Sequence, residues 1–314
     1  MQNPGFGTDT RGMAAPLTSA IKHDGSSLRR WLESRLPGMN GLVGLLPRRL
    51  RPVVPRRRPD ALPPWLIGMA FDWRLRIGIE LPDDPCATTA YVGWGMVRAA
   101  APGAAPFTDV VLASDQGRDT SSPVAQLLAA AGRARGDDGR ERDEVRLAKI
   151  SVALARYENC YRGGVPHDDP LLRLGASPSL LALLSLCPDA AADEIARLTA
   201  AARQGLAPLF PAESIELNPD FTAHGTPADG DLLIDGLLLD LKTVTRPEVQ
   251  AEWVWQLLGY VFLDAGRRGI ERVGLYLSRH AWLGTWEVDE LLTVLAGEAV
   301  TEAQLRPEFL AALG

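Results

Sequence analysis

Cysteine and histidine are scarce in this chain, with three and four copies in 314 residues. Cys86, Cys160 and Cys187 lie far apart, and His23, His167, His224 and His280 show no metal-ligand spacing, which argues against a zinc centre. No stretch of eighteen or more apolar residues occurs, so no membrane-spanning helix is expected. The opening MQNPGFGTDTRGMAAPL lacks the charged-then-apolar pattern of an export signal, and the expectation is a cytoplasmic chain without a membrane partner. Basic residues are the minority, 33 against 39 acidic, for a net charge of -6. That balance excludes an evenly cationic coat, so any contact with nucleic acid must be local. The pattern G-x-x-x-x-G-K-[ST] is missing, and the glycine-containing run 135–138 makes no phosphate loop, so the chain has no ATP motor of its own. The nucleophile elbow G-x-S-x-G is also missing.

What remains has the apolar and charged fractions of an ordinary globular protein, long enough for two domains. The first sixty residues are rich in Gly, Pro, Ser and Arg. Within them SSLRRWLESRLPG reads as a short amphipathic helix ending at Pro37-Gly38. PRRLRPVVPRRRP (47–59) sets arginines between prolines, which precludes a continuous helix and suggests an extended basic tether, able to touch a phosphate backbone. FDWRLRIGIELP, within 61–98, partly alternates like a strand while its neighbours permit helix. Residues 122–186 are clearly helical: SPVAQLLAAAGRAR, then DEVRLAKISVALARYENCYRGG with apolar spacing near 3.6 and a stop at Gly163-Gly164, then SPSLLALLSLC. Tyr157, Tyr161 and Arg162 end the second of these, where they either pack or face a substrate. The organisation expected is a flexible segment over 1–60, a mainly helical domain over 61–186 and a mixed α/β domain over 187–314.

Chemistry concentrates in ADGDLLIDGLLLDLKTV (228–244). Asp235-Gly236 between two apolar runs is a strong hairpin signal, because a two-residue primed turn requires positive φ. That loop pairs Ile234 with Leu237, Leu233 with Leu238 and Leu232 with Leu239, and by extension Asp231 with Asp240 and Asp229 with Lys242. Alternation then puts Asp229, Asp231, Asp240 and Lys242 on one face and only leucine and isoleucine on the other. Asp231 and Asp240 would stand with Cβ atoms roughly 5 Å apart, where like charges destabilise a sheet. A solvated acidic hairpin tolerates this; a divalent cation offsets it, since Mg²⁺ is held by one or two carboxylates plus waters and phosphate oxygens. Lys242 beside the pair can position a water or neutralise charge developing on phosphate.

Asp231, then Asp240-Leu241-Lys242 as a D-x-K element, then a helix carrying Gln256 and Tyr260 four residues apart in WQLLGYVFLD, with Trp253 just before them, form a sequence of motifs that resembles the PD-(D/E)xK nuclease superfamily, and within it the RecB-like branch. The match covers about 189–292. Gly230, not proline, precedes Asp231. The resemblance implies a restriction-endonuclease-like αβββαβ core: a helix over 189–205, strands near 214–217 and in the hairpin, a helix over about 247–265 and a strand over 272–277, with a further strand near 284–288 extending the sheet.

The same resemblance implies Asp231 and Asp240 as ligands of Mg²⁺ or Mn²⁺, Lys242 as the catalytic lysine, and Gln256 and Tyr260 lining the site near nucleic acid. In many members a glutamate from the first core helix completes the metal site. Glu194 is the best candidate, with Glu158 and Glu213 as competitors, and Asp229 is either a further ligand or an ion-pair partner of Lys242. Some RecB-like nucleases carry a four-cysteine iron-sulfur cluster, which three scattered cysteines cannot build. The function implied is phosphodiester hydrolysis, on DNA rather than RNA, in repair, recombination or defence, with any motor supplied by a protein partner. The alternative is an inactive nuclease-fold module that binds nucleic acid or protein.

Overall fold

The structure is a computed structural model that describes residues 15–38, 50–56, 62–101, 121–136 and 142–314. Parts of the basic tether (47–49 and 57–59) and of the run 135–138 fall outside the described residues. Within them the chain is mixed α/β, with twelve α-helices and one five-stranded sheet. None of these helices is long and apolar enough to cross a membrane.

Near the N-terminus stand α1 (Leu17–Lys22) and α2 (Ser27–Arg35). A helical layer follows: α3 (Pro64–Ile79), α4 (Thr89–Ala100), α5 (Pro123–Ala134), α6 (Glu144–Gly163), α7 (Pro170–Leu174), α8 (Leu180–Leu184) and α9 (Asp189–Gly205). The remaining elements are β1 (Ile215–Leu217), β2 (Leu232–Ile234), β3 (Leu237–Lys242), α10 (Ala251–Asp264), β4 (Arg272–Leu277), β5 (Trp282–Glu287), α11 (Val288–Ala296) and α12 (Glu302–Leu313). Several helix starts follow from their capping residues: Ser122, Asp143 and Thr88 accept the backbone N–H of Ala125, Arg146 and Tyr91.

The sheet runs β1-β2-β3-β4-β5 in sequence order. Every neighbouring pair is antiparallel except β3 and β4, where the crossover through α10 makes the strands parallel. The hairpin register is the one expected: Leu232 with Leu239, Leu233 with Leu238, Ile234 with Leu237. Asp235 and Gly236 both take positive φ, as a primed turn demands.

Helices cover both sheet faces. Leu232, Ile234, Leu237, Leu239 and Tyr276 join one core with α3 to α9, while Leu233, Leu238, Val273 and Leu275 join another with α1, α2, α10, α11 and α12. One open reading is resolved here and one expectation corrected. Residues 62–98 form helices and no strand, in line with the mainly helical region expected; α3 is buried on nearly every side, so its apolar residues show no clean period. The flexible segment expected over 1–60 does not extend through residues 15–38, because Leu17, Ile21, Leu28 and Leu32 are buried against α10 and α12. Even the described part of the tether is fastened, with the Val53 and Val54 N–H groups donating to the Arg279 carbonyl at 2.8 and 3.0 Å. No break in packing marks residue 186, since the first core continues from the helices onto the sheet.

The helical layer depends on one close approach. A Cβ on Gly93 of α4 would lie 1.7 Å from the carbonyl oxygen of Tyr157 on α6. Gly93→Ala is therefore expected to cost about 2–3 kcal/mol or more in urea unfolding. Gly163→Ala, with nothing within 4 Å of its Cβ, should cost nothing measurable. Equal midpoints for the two variants would contradict this packing.

Candidate metal centre

Asp240 sits in the middle of the sheet, on β3 between β2 and β4, and is only 3 % exposed. It shares the sheet face covered by α10 with Leu238 and Lys242. The Lys242 Nζ lies 2.6 Å from Asp240 Oδ2, and the Trp253 ring of α10 stands 5.7 Å from the same ammonium. Asp231 enters β2 opposite the far end of β3, where its Oδ2 accepts the Leu241 N–H at 2.6 Å. The regular ladder stops at Leu232 and Leu239, and the Asp231 side chain takes over from it.

Burial lifts the Asp231 carboxyl well above the usual carboxylate range, and repulsion from Asp240 and Asp72 adds to it; Lys242 and the Leu241 N–H pull the other way. Tyr260 of α10 overhangs the acids: burial raises its phenol pKa, and Asp240, Asp231 and Asp229 raise it further. Its hydroxyl accepts a hydrogen bond from Gln256 Nε2, and its ring stacks on Phe221 at 5.1 Å. Gln256 Nε2 also reaches Thr18 Oγ1 of α1 at 3.3 Å. The structure thus brings together Asp231, Asp240, Lys242, Gln256 and Tyr260.

It does not bring Glu194 to them. Glu194 lies on α9, which packs on the opposite sheet face, and its Oε1 takes the buried Arg279 Nη2 at 2.5 Å. A buried guanidinium needs a carboxylate, and Glu194 supplies it. Glu213 is exposed at the turn end of the hairpin, where its N–H donates to Asp235. Nor does Asp229 pair with Lys242. It bridges Asp220 instead, and its carboxylate holds Arg162 Nη2 at 2.6 Å.

Beside the pair runs a set of charges from the helical layer that the sequence only partly signals. Asp72 and Arg76, four apart on α3, form a close ion pair. Arg76 Nη2 also lies 3.4 Å from Glu158 of α6, whose Oε1 accepts from Arg162 at 2.9 Å. Trp73 Nε1 donates to Glu158 Oε2 at 2.5 Å. Burial works to raise the Glu158 pKa, but Arg76 and Arg162 overcome it and hold the carboxyl below its usual range. Burial pushes Asp72 up to about 6 despite Arg76. The available signal is the pair of i,i+4 acid–base couples, Asp72-Arg76 on α3 and Glu158-Arg162 on α6. Of the end of α6, Tyr157 packs in the core, Tyr161 is exposed, and Arg162 faces the site.

Counted together, Asp72, Glu158, Asp229, Asp231 and Asp240 face Arg76, Arg162 and Lys242. The acids outnumber the bases five to three, and burial favours the protonated form of Asp231 and Asp72. Among the described residues no three of His, Cys, Asp and Glu gather closely enough to hold a metal alone. A hard cation here would rest on two carboxylates, Asp231 and Asp240, with water or phosphate oxygens completing the shell.

No family model, curated protein or solved structure matches the chain.

The two acids differ in what their neutralisation does. With its pKa raised on folding, Asp231 binds a proton more tightly in the native state, so its own contribution to stability is full below the ordinary aspartate range and is lost as pH rises through the raised value. In chelator, Asp231→Asn is expected to match or exceed wild-type stability at pH 8, by up to about 1 kcal/mol, with the advantage fading toward pH 4. Glu194→Gln should instead cost about 3 kcal/mol by stranding Arg279, and leave Mn²⁺ affinity in calorimetry unchanged. Loss of Mn²⁺ binding in Glu194→Gln would restore that residue to the site.

Proposed function

We propose that this protein is a Mg²⁺- or Mn²⁺-dependent nuclease of the PD-(D/E)xK type, RecB-like, acting on phosphodiester bonds of DNA in preference to RNA. The observation that carries the reading is the buried Asp240 beside the half-buried Asp231, with Lys242 Nζ 2.6 Å from Asp240. Two further features support it. The order α9-β1-β2-β3-α10-β4 is an αβββαβ succession, and α10 sets Tyr260 over the acids with Gln256 bonded to it.

In this reading Asp231 and Asp240 would hold the cation, which supplies Lewis-acid polarisation of a phosphoryl oxygen and a water of lowered pKa. Lys242 is fixed between Asp240 and the Trp253 ring. Its ammonium donates to an attacking water or to the phosphate oxygen on which charge builds, and it costs little to reorganise because its partners already hold it. Arg76 and Arg162 hold Glu158 in ion pairs, and Arg162 also holds Asp229. Gln256 and Tyr260 orient each other toward the substrate side of the pair. Exposed Arg51 and Arg56, on the segment fastened to Arg279, offer local positive charge near the end of β4, which pairs with the Lys242 end of β3. That is the kind of local contact an acidic chain needs for a polyanion.

A second reading, a module that binds nucleic acid or a protein partner without hydrolysis, draws on the diversion of Glu194 to Arg279. One panel separates the two. Purified protein is incubated with linear, circular and single-stranded DNA and with RNA, in Mg²⁺, Mn²⁺ or chelator. Metal-dependent cleavage is expected, reduced at least 100-fold in Asp240→Ala and Lys242→Ala with folding intact. Mn²⁺ binding in calorimetry without cleavage selects the silent module; cleavage undiminished in both variants rejects the assigned site.

A further inference from the structure

On the side of α3 away from Asp72 and Arg76 a second site is built, independent of the hairpin. Arg74 is two residues from each, hence about 200° around the helix. It lines a cavity of about 580 Å³ together with Arg142 and Arg203, a volume in the range that takes small organic ligands. Ile79, Leu206, Phe210 and Ile215 form its apolar wall.

The charges there do not balance. All three guanidiniums converge on one carboxylate, Glu144: Arg74 Nη2 at 2.7 Å, Arg203 in a shorter contact, and Arg142 Nε at 3.9 Å. Glu144 is also the first residue of α6, so the positive end of a 20-residue helix adds to the surplus. Burial lowers the Arg74 pKa; Glu144 opposes that, while Arg203 and Arg142 lower it further by repulsion. Arg74 is fully buried, yet its Nη1 has no hydrogen-bond partner among the described residues. That nitrogen lies 3.2 Å from where a Cβ on Gly78 would stand, and Gly78 is itself part of the cavity wall. A buried donor left unmatched is costly unless something meets it. Arg142 and Arg203, more than a third exposed, stand where an incoming anion would meet them.

We propose that this cavity binds a small amphipathic anion, a carboxylate or phosphate head on an apolar body, with the head on Arg203, Arg142 and Arg74 and the body against Phe210 and Ile79. The arginines alone would take any anion. The apolar wall is what selects one with a hydrophobic remainder.

Calorimetry on the full chain tests it with phenyl phosphate, decanoate, inorganic phosphate and benzyl alcohol. Saturable one-site binding of phenyl phosphate or decanoate is expected, at least tenfold tighter than inorganic phosphate or benzyl alcohol, and whichever of the two binds identifies the head group. Arg203→Ala and Arg142→Ala, both at partly exposed positions, should each weaken it at least tenfold while thermal melts confirm the fold. The proposal is overturned by the absence of saturable binding of both amphipathic probes, by an unchanged Kd in both Arg203→Ala and Arg142→Ala, or by inorganic phosphate binding as tightly as either.

Discussion

Two neighbouring carboxylates, one buried and one half-buried, in a sheet covered on both faces are the constraint around which this molecule is arranged. Asp231 and Asp240 occupy a surface that α10 buries, and the cost of ionising both is visible in the raised Asp231 pKa. Several neighbouring groups answer that cost. Lys242 lies against Asp240, the Leu241 N–H binds Asp231, and the cations of α3 and α6 stand behind them. A hairpin of this composition at the surface would need none of these. Its burial turns an ordinary repulsion into an organising one, because charge interactions strengthen as water is excluded.

The helical layer consequently has two electrostatic jobs on opposite sides of α3. Toward the hairpin, Asp72 and Arg76 link Glu158, Arg162 and Asp229 into one set of alternating charges. Away from it, Arg74 joins Arg142 and Arg203 around Glu144 with positive charge in excess. One helix thus borders an acid-rich centre and a base-rich cavity. The net charge of -6 conceals both. Arg279 and Glu194 form a third buried pair that fastens the tether, through Val53 and Val54, onto the end of β4.

Much of the sheet was legible because its rules are local. Asp235-Gly236 specified the turn, and period-two alternation then put Asp240 and Lys242 on one face. The helix over Asp189–Gly205 and the strand over Arg272–Leu277 were expected through the resemblance, and both form. Residues 61–98 were not legible in this way, since a helix buried on most sides has no polar face to reveal its period. The pairing of Glu194 with Arg279 is hidden for a related reason: a glutamate on an amphipathic helix carries no mark of the distant arginine that claims it.

The sequence by itself determined the hairpin, its register, the shared face of Asp240 and Lys242, and the spacing of Gln256 and Tyr260, since each follows from turn chemistry or from the period of a single element. Tertiary structure alone decided which charges meet. It sent Glu194 to Arg279, Asp229 to Arg162 and Asp72 to the neighbourhood of Asp231, and it laid α1 over Gln256. These contacts join residues 67 to 238 positions apart or lie across packed helix faces. Ion pairing depends on distance and burial in three dimensions, and neither is written in the local pattern of a chain.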